Sequence, residues 1–208
     1  LSLHDALPIL IFGLGAILGK LLADGGGATR IADTLIAKFG QKHVQWAMLI
    51  AAFIVGIALF FEVGLVLLIP LVFTVAKRAN VSILKLGLPM VTALSVTHGF
   101  LPPHPGPVVI AKELKANIGE VLLYGMIIAI PVTLIAGPIF NRFAQKMVPT
   151  AYTREGDISS LGTQKEFKEE EMPSFGISLL TAILPVILML ISTIVQLITG
   201  HEEATNVF

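Results

Sequence analysis

Residues 96–111 read VTHGFLPPHPGPVVIA. Two histidines and four prolines interrupt what would otherwise be one apolar helix. Pro102, Pro103, Pro105 and Pro107 have no backbone N–H, and residues before proline are pushed away from helical geometry, so a helix entering here cannot continue. Such backbone persists at membrane depth only where protein or water satisfies the freed carbonyls, and in secondary transporters broken helices mark binding sites. The break therefore predicts a polar cavity. A proline-rich loop joining two shorter interfacial helices, with both histidines at the surface, is the competing reading.

The surroundings make membrane depth the relevant frame. The chain has 208 residues, of which 55% are hydrophobic and 13% charged, and its mean hydropathy is +0.87; an ordinary soluble domain has about 25% charged residues. Charges are absent from residues 86–111, 121–141 and 174–200, each long enough for a core that needs about 20 residues. The predicted class is an all-α, polytopic integral membrane protein. Formal net charge is zero, so no basic excess points to nucleic acid. Cysteine is absent, which removes disulfides and thiolate metal sites.

Upstream, residues 1–8 read as a leader foreign to the rest, and 9–22 as the remnant of a longer span without the basic n-region of a signal peptide. Within that remnant, GAILG has the small-xxx-small spacing that lets helices approach closely in lipid. DGGGATR, residues 24–30, reads as a turn, and 31–39 as a short interfacial helix. Both chain ends read as incomplete.

Residues 44–76 carry one charge, Glu62, near their centre, and the block 44–77 closes on Lys77. They form either one long tilted helix or a re-entrant hairpin whose arms, residues 46–60 and 65–76, meet at a tip made by FEVG, with Gly64 permitting the turn. Lys38 and Lys42 precede the block while Lys77, Arg78 and Lys85 follow it, and a hairpin places both clusters on one side. Taking that side as cytoplasmic, 86–111 forms a broken span, 121–141 returns, 142–174 is a charged cytoplasmic loop and 175–199 crosses again. Pro131 and Pro185 are tolerated kinks. Trp46 and Tyr124 are expected as interfacial anchors.

Several residues could carry chemistry. A half-helix starting near Val108 would present N–H groups and a positive dipole end to an anion, which nominates the backbone of Gly106, Pro107 and Val108 for substrate binding. Ser95, Thr97, His98 and His104 add hydroxyls and imidazoles, while Gly99, Pro102, Pro103 and Pro105 form the hinge. An ionised carboxylate at the centre of a span costs about 2.5 to 3.5 kcal/mol, and desolvation favours its protonated form, so Glu62 is a candidate for proton coupling; His98, an imidazole beside the break, is a second candidate. A structural acid at the hairpin tip is the alternative for Glu62. His98 and His104 lie six residues apart across prolines without a carboxylate to complete a metal site. No catalytic nucleophile–base pair or metal triad is visible, no cofactor is implied, and the chain is not expected to be an enzyme. Thr92, Thr133 and Thr181 read as helix-packing groups.

These motifs carry a resemblance. Residues 60–107, FFEVGLVLLIPLVFTVAKRANVSILKLGLPMVTALSVTHGFLPPHPGP, closely resemble the gluconate permease family, and LLYGMIIAIPVTLIAGPI and EEEMPSFGISLLTAILPVILM continue the match. The resemblance runs from about Phe12 onward. It implies a gluconate:proton symporter of the bacterial inner membrane, within an ion transporter superfamily built from two inverted halves, each with a re-entrant hairpin and a broken helix. The partners implied are a sugar-acid anion, protons and the lipid bilayer, and a homo-oligomer is compatible with it. The chain would supply the first half, with the FEVG tip and the 98–107 break meeting at one site. A truncated membrane fragment without transport activity, and a carrier for another hydroxy-carboxylate such as fructuronate or glycerate, are the alternatives.

Overall fold

The computed structural model describes residues 17, 20–153 and 167–199, and among these every regular element is helical. The expected leader and most of the 9–22 span, with its GAILG pattern, lie outside the described residues. After a helical stretch at 20–24 the elements are α1 (Gly27–Phe39), α2 (Val44–Ala58), α3 (Phe61–Ala79), α4 (Ile83–Phe100), α5 (Pro105–Glu113), α6 (Ile118–Leu134), a π-helical turn (Ile135–Ile139), α7 (Phe140–Met147) and α8 (Phe175–Thr199).

Helix α2 is the central element. Ala47, Met48, Leu49, Ala51, Ala52 and Val55 are all buried, so the helix is apolar and enclosed on most of its circumference. It packs chiefly against α4 and also against α1 and α8. Leu68 and Val72 of α3 and Met90, Ala93 and Leu94 of α4 complete the main core. A smaller cluster, Ile57, Val96, Leu101, Leu122 and Ala129, surrounds the helix break and ties it to α6.

Local chemistry explains most of the boundaries. Ser82 Oγ accepts from Lys85 N–H at 3.2 Å and starts α4, and Asn117 Oδ1 accepts from Gly119 and Glu120 N–H at 2.8 and 3.2 Å to start α6. Asn80, at φ 50°, ends α3 in the left-handed region that Asn tolerates. Pro105 opens α5 at the first helical position, where its missing N–H is no loss. The second half-helix therefore begins three residues before the expected Val108.

Three further expectations shift. The DGGGATR turn is confined to Gly25 and Gly26, because Gly26 at φ 76° alone supplies the reversal and α1 starts at Gly27. Helix α1 is longer than the expected 31–39, starting at Gly27, and it turns Gly27, Ala28, Ile31, Ala32 and Leu35 into the protein. The charge-free 121–141 segment is part of a longer helical run that continues through the π-turn to Met147, with Pro131 inside α6 and Pro138 inside the turn. Arg30 Nη2 and Nε donate to the carbonyls of Glu169 at 2.6 Å and Pro173 at 3.0 Å, which ties the approach to α8 against α1.

Two helical runs, Ile83–Glu113 with 31 residues and Ile118–Met147 with 30, are long and apolar enough to cross a membrane. Ile127, Ile128, Ile130, Ile135 and Ile139 are exposed along the second. A surface this apolar suits lipid rather than water.

Candidate functional site

The chain between α2 and α3 breaks at Leu59 and Phe60, both extended, the latter at φ −61° and ψ 152°. FEVG is not the tip: Phe61 to Gly64 form the first turn of α3. Gly64 is buried, and a Cβ there would come within 2.8 Å of Leu94 Cδ2, so its smallness serves close packing against α4 rather than a turn. The helix break thus lies upstream of FEVG, at Leu59 and Phe60.

Breaking a helix leaves its last carbonyls and the next helix's first N–H groups without partners. Here two histidines supply them. His104 Nε2 lies 2.8 Å from the carbonyl of Gly56, in the last turn of α2. His98 Nδ1 accepts from the N–H of Phe61, the first residue of α3, at 3.4 Å. Because a carbonyl only accepts, His104 Nε2 carries a hydrogen; because Phe61 N–H donates, His98 Nδ1 does not. His104 is 2% exposed, and its Nδ1 is buried with no hydrogen-bond partner.

The two imidazoles stand side by side, ring centroids 4.9 Å apart, and Phe60 closes the cluster at 6.2 Å from His98 and 5.9 Å from His104. Aromatic rings at such separations attract through edge-to-face and tilted arrangements. His98 ends α4 and His104 precedes α5, while Phe60 marks the break between α2 and α3. The break between α2 and α3 and the break between α4 and α5 therefore meet at this cluster. Between His98 and His104 the chain passes Gly99, which is exposed, and the Pro102–Pro103 pair, which is joined by a cis bond.

The other candidates are placed differently. Thr97 is fully buried, its hydroxyl donating to the carbonyls of Ala93 and Leu94 at 3.0 Å and packing on Gly56, where a Cβ would overlap Thr97 Oγ1. It is a packing group, not an open ligand. Ser95 is exposed and, two residues from Thr97, lies on the opposite face of α4. In the first turn of α5, Pro105 and Pro107 lack N–H groups and Val108 N–H is spent on the His104 carbonyl at 3.3 Å. Gly106, exposed and with open space where a side chain would stand, is the remaining donor, so the expected three-residue anion cradle reduces to one N–H. Glu62 is exposed in the first turn of α3 rather than enclosed at a tip; a carboxylate there is favoured by the helix N-terminus.

Sequence reasoning did not nominate Phe60 or Gly56. Gly56 could have been found as the single glycine within an apolar helix. Among the described residues no three His, Cys, Asp or Glu side chains converge as metal ligands.

The sequence model of the GntP family permeases matches residues 7–208. The chain belongs to the GntP permease family. The match begins at Leu7, upstream of the expected start near Phe12 and inside the stretch read as a leader. Among GntP relatives, a gluconate permease of Bacillus subtilis is 66% identical over 189 residues, which cover 91% of this chain and 42% of the relative. A high-affinity gluconate transporter of Escherichia coli is 55% identical over 197 residues, 92% and 43% of the two chains. A Gnt-II system L-idonate transporter of the same organism is 48% identical over 199 residues, 96% and 44%. The chain thus spans less than half the length of the curated relatives it matches. No solved structure matches. Membership in a permease family makes this a membrane protein and agrees with the absence of an enzyme's constellation from its sequence.

Proposed function

We propose that the chain forms part of a secondary transporter that carries gluconate, or a related sugar acid, together with protons across the bacterial inner membrane as a multi-pass protein. Relatives named for gluconate and for L-idonate support the substrate class. The observation that carries the site is the His98–His104–Phe60 cluster at the junction of two helix breaks, with a buried imidazole nitrogen unpartnered.

The arrangement supports a proton-sensitive junction. Protonating His98 turns Nδ1 from an acceptor into a donor, which opposes the Phe61 N–H and releases the start of α3. Protonating His104 keeps its bond to Gly56 and adds a second donor at Nδ1, suited to a carboxylate or hydroxyl. Glu62, one residue beyond Phe61, would exchange protons with the open side. Gly106 N–H adds one anion contact, and Ser95 remains a candidate only if a moving α4 turns it inward. Helix α2 has 15 residues and is about 22 Å long, short of the roughly 30 Å hydrocarbon core, which favours a re-entrant hairpin over a full span.

The test is uptake of labelled gluconate by vesicles holding a chimera in which this chain replaces the matching 189 residues of the Bacillus subtilis relative. An inward proton gradient should stimulate uptake, and Glu62→Gln should remove the stimulation. A well-inserted chimera whose uptake ignores the gradient overturns the coupling; one that carries no gluconate overturns the function.

A further inference from the structure

A cavity of about 460 Å³ opens where the α1–α2 turn, the start of α4 and α7 come together, within the roughly 300–1,000 Å³ of small-molecule sites. Lys42, His43, Lys85 and Arg142 line it, and among the described residues no carboxylate does. Its floor holds Asn141, 2% exposed, which is already committed: Nδ2 donates to the Lys85 carbonyl at 3.0 Å, and Oδ1 accepts from Tyr152. Gln45, also lining the cavity, has a buried Nε2 with no partner. Three cations and a buried, unpartnered amide nitrogen thus face one cavity.

We propose that this cavity binds the phosphate headgroup of an anionic phospholipid. Basic pockets between helices near the membrane surface recognise such headgroups, each Lys or Arg contributing about 1 kcal/mol there. The neighbourhood favours a lipid over a free anion. Trp46 lines the same cavity, half-buried as an interfacial indole should be. A free phosphate would use the cations but make no use of that indole. The site stands at the Lys85 end of α4, away from the histidine cluster at the other end of that helix.

Native mass spectrometry of the purified chain, offered phosphatidylglycerol and phosphatidylcholine in equal amounts, tests this directly. Phosphatidylglycerol should be retained preferentially, and Lys42→Gln with Arg142→Gln should weaken its retention by about thirtyfold. Both side chains are exposed, so the double variant should fold. Lys112→Gln with Lys115→Gln changes net charge equally at a distant place and should leave retention unchanged. Equal retention of the two lipids overturns the proposal, as does an equal loss in the control variant, which would reduce the effect to bulk charge. Displacement of phosphatidylglycerol by inorganic phosphate would make the cavity a soluble-anion site and overturn the lipid assignment.

Discussion

His104 Nε2 meets the Gly56 carbonyl at 2.8 Å, joining the residue before α5 to the last turn of α2 across 48 positions of sequence. The bond does two things at once. It satisfies a carbonyl that the end of α2 leaves over, and it fixes His104 with Nδ1 free.

Removing it separates those roles. His104→Ala leaves the Gly56 carbonyl buried and unpaired and should destabilise the protein by about 1–3 kcal/mol. His104→Gln keeps a donor and should recover part of that loss in thermal unfolding while still impairing gluconate uptake. Full uptake by the Gln variant would make His104 a cap and nothing more.

Gly56 and Thr97 should couple strongly. Gly56→Ala drives a Cβ into Thr97 Oγ1, at a cost of about 1–3 kcal/mol for overpacking. Thr97→Ala frees the space, so the double variant should unfold at a higher temperature than Gly56→Ala alone. Additive losses would place the clash elsewhere.

What could be read from sequence divides at these two breaks. The one at residues 101–104 was legible because proline carries its reason locally: no N–H, and a restricted neighbour. The one at Leu59–Phe60 was not, since neither residue resists a helix. Its partners are His98, 37 positions from Phe61, and His104, 48 from Gly56. Only tertiary structure puts them there. The same difference explains Gly64, expected in a turn and found as a packing position against Leu94. Thr97 and Ser95 could not be told apart by residue type, because the face of α4 each occupies depends on where α2 lies.

The hairpin has its own test, made simple by a chain without cysteine. Single replacements Lys42→Cys and Lys77→Cys should be alkylated by an impermeant maleimide from the same side of the membrane, and Lys112→Cys from the other. Labelling of the first two from opposite sides would mean that α2 and α3 cross as one long span.

Tyr152 gives the fold an alkaline limit. Its phenol donates to Asn141, and burial raises its pKa above the usual 10.0. A folded value above the unfolded one means that stability is fully present below about pH 10 and is lost as pH rises through the folded value. Tyr152→Phe should be less stable at neutral pH and lose this component of the alkaline decline; an unchanged profile would assign the decline to other groups.

On the proposed function, substrate occupies the junction where Phe60, His98 and His104 meet. Phe60→Cys places one thiol at that junction, and Phe140→Cys places one on the exposed face of α7. Alkylation rates with and without gluconate are the measurement. Gluconate should slow the reaction at Phe60→Cys and leave Phe140→Cys unaffected; equal rates at Phe60→Cys with and without gluconate, in protein shown to transport it, would contradict the claim.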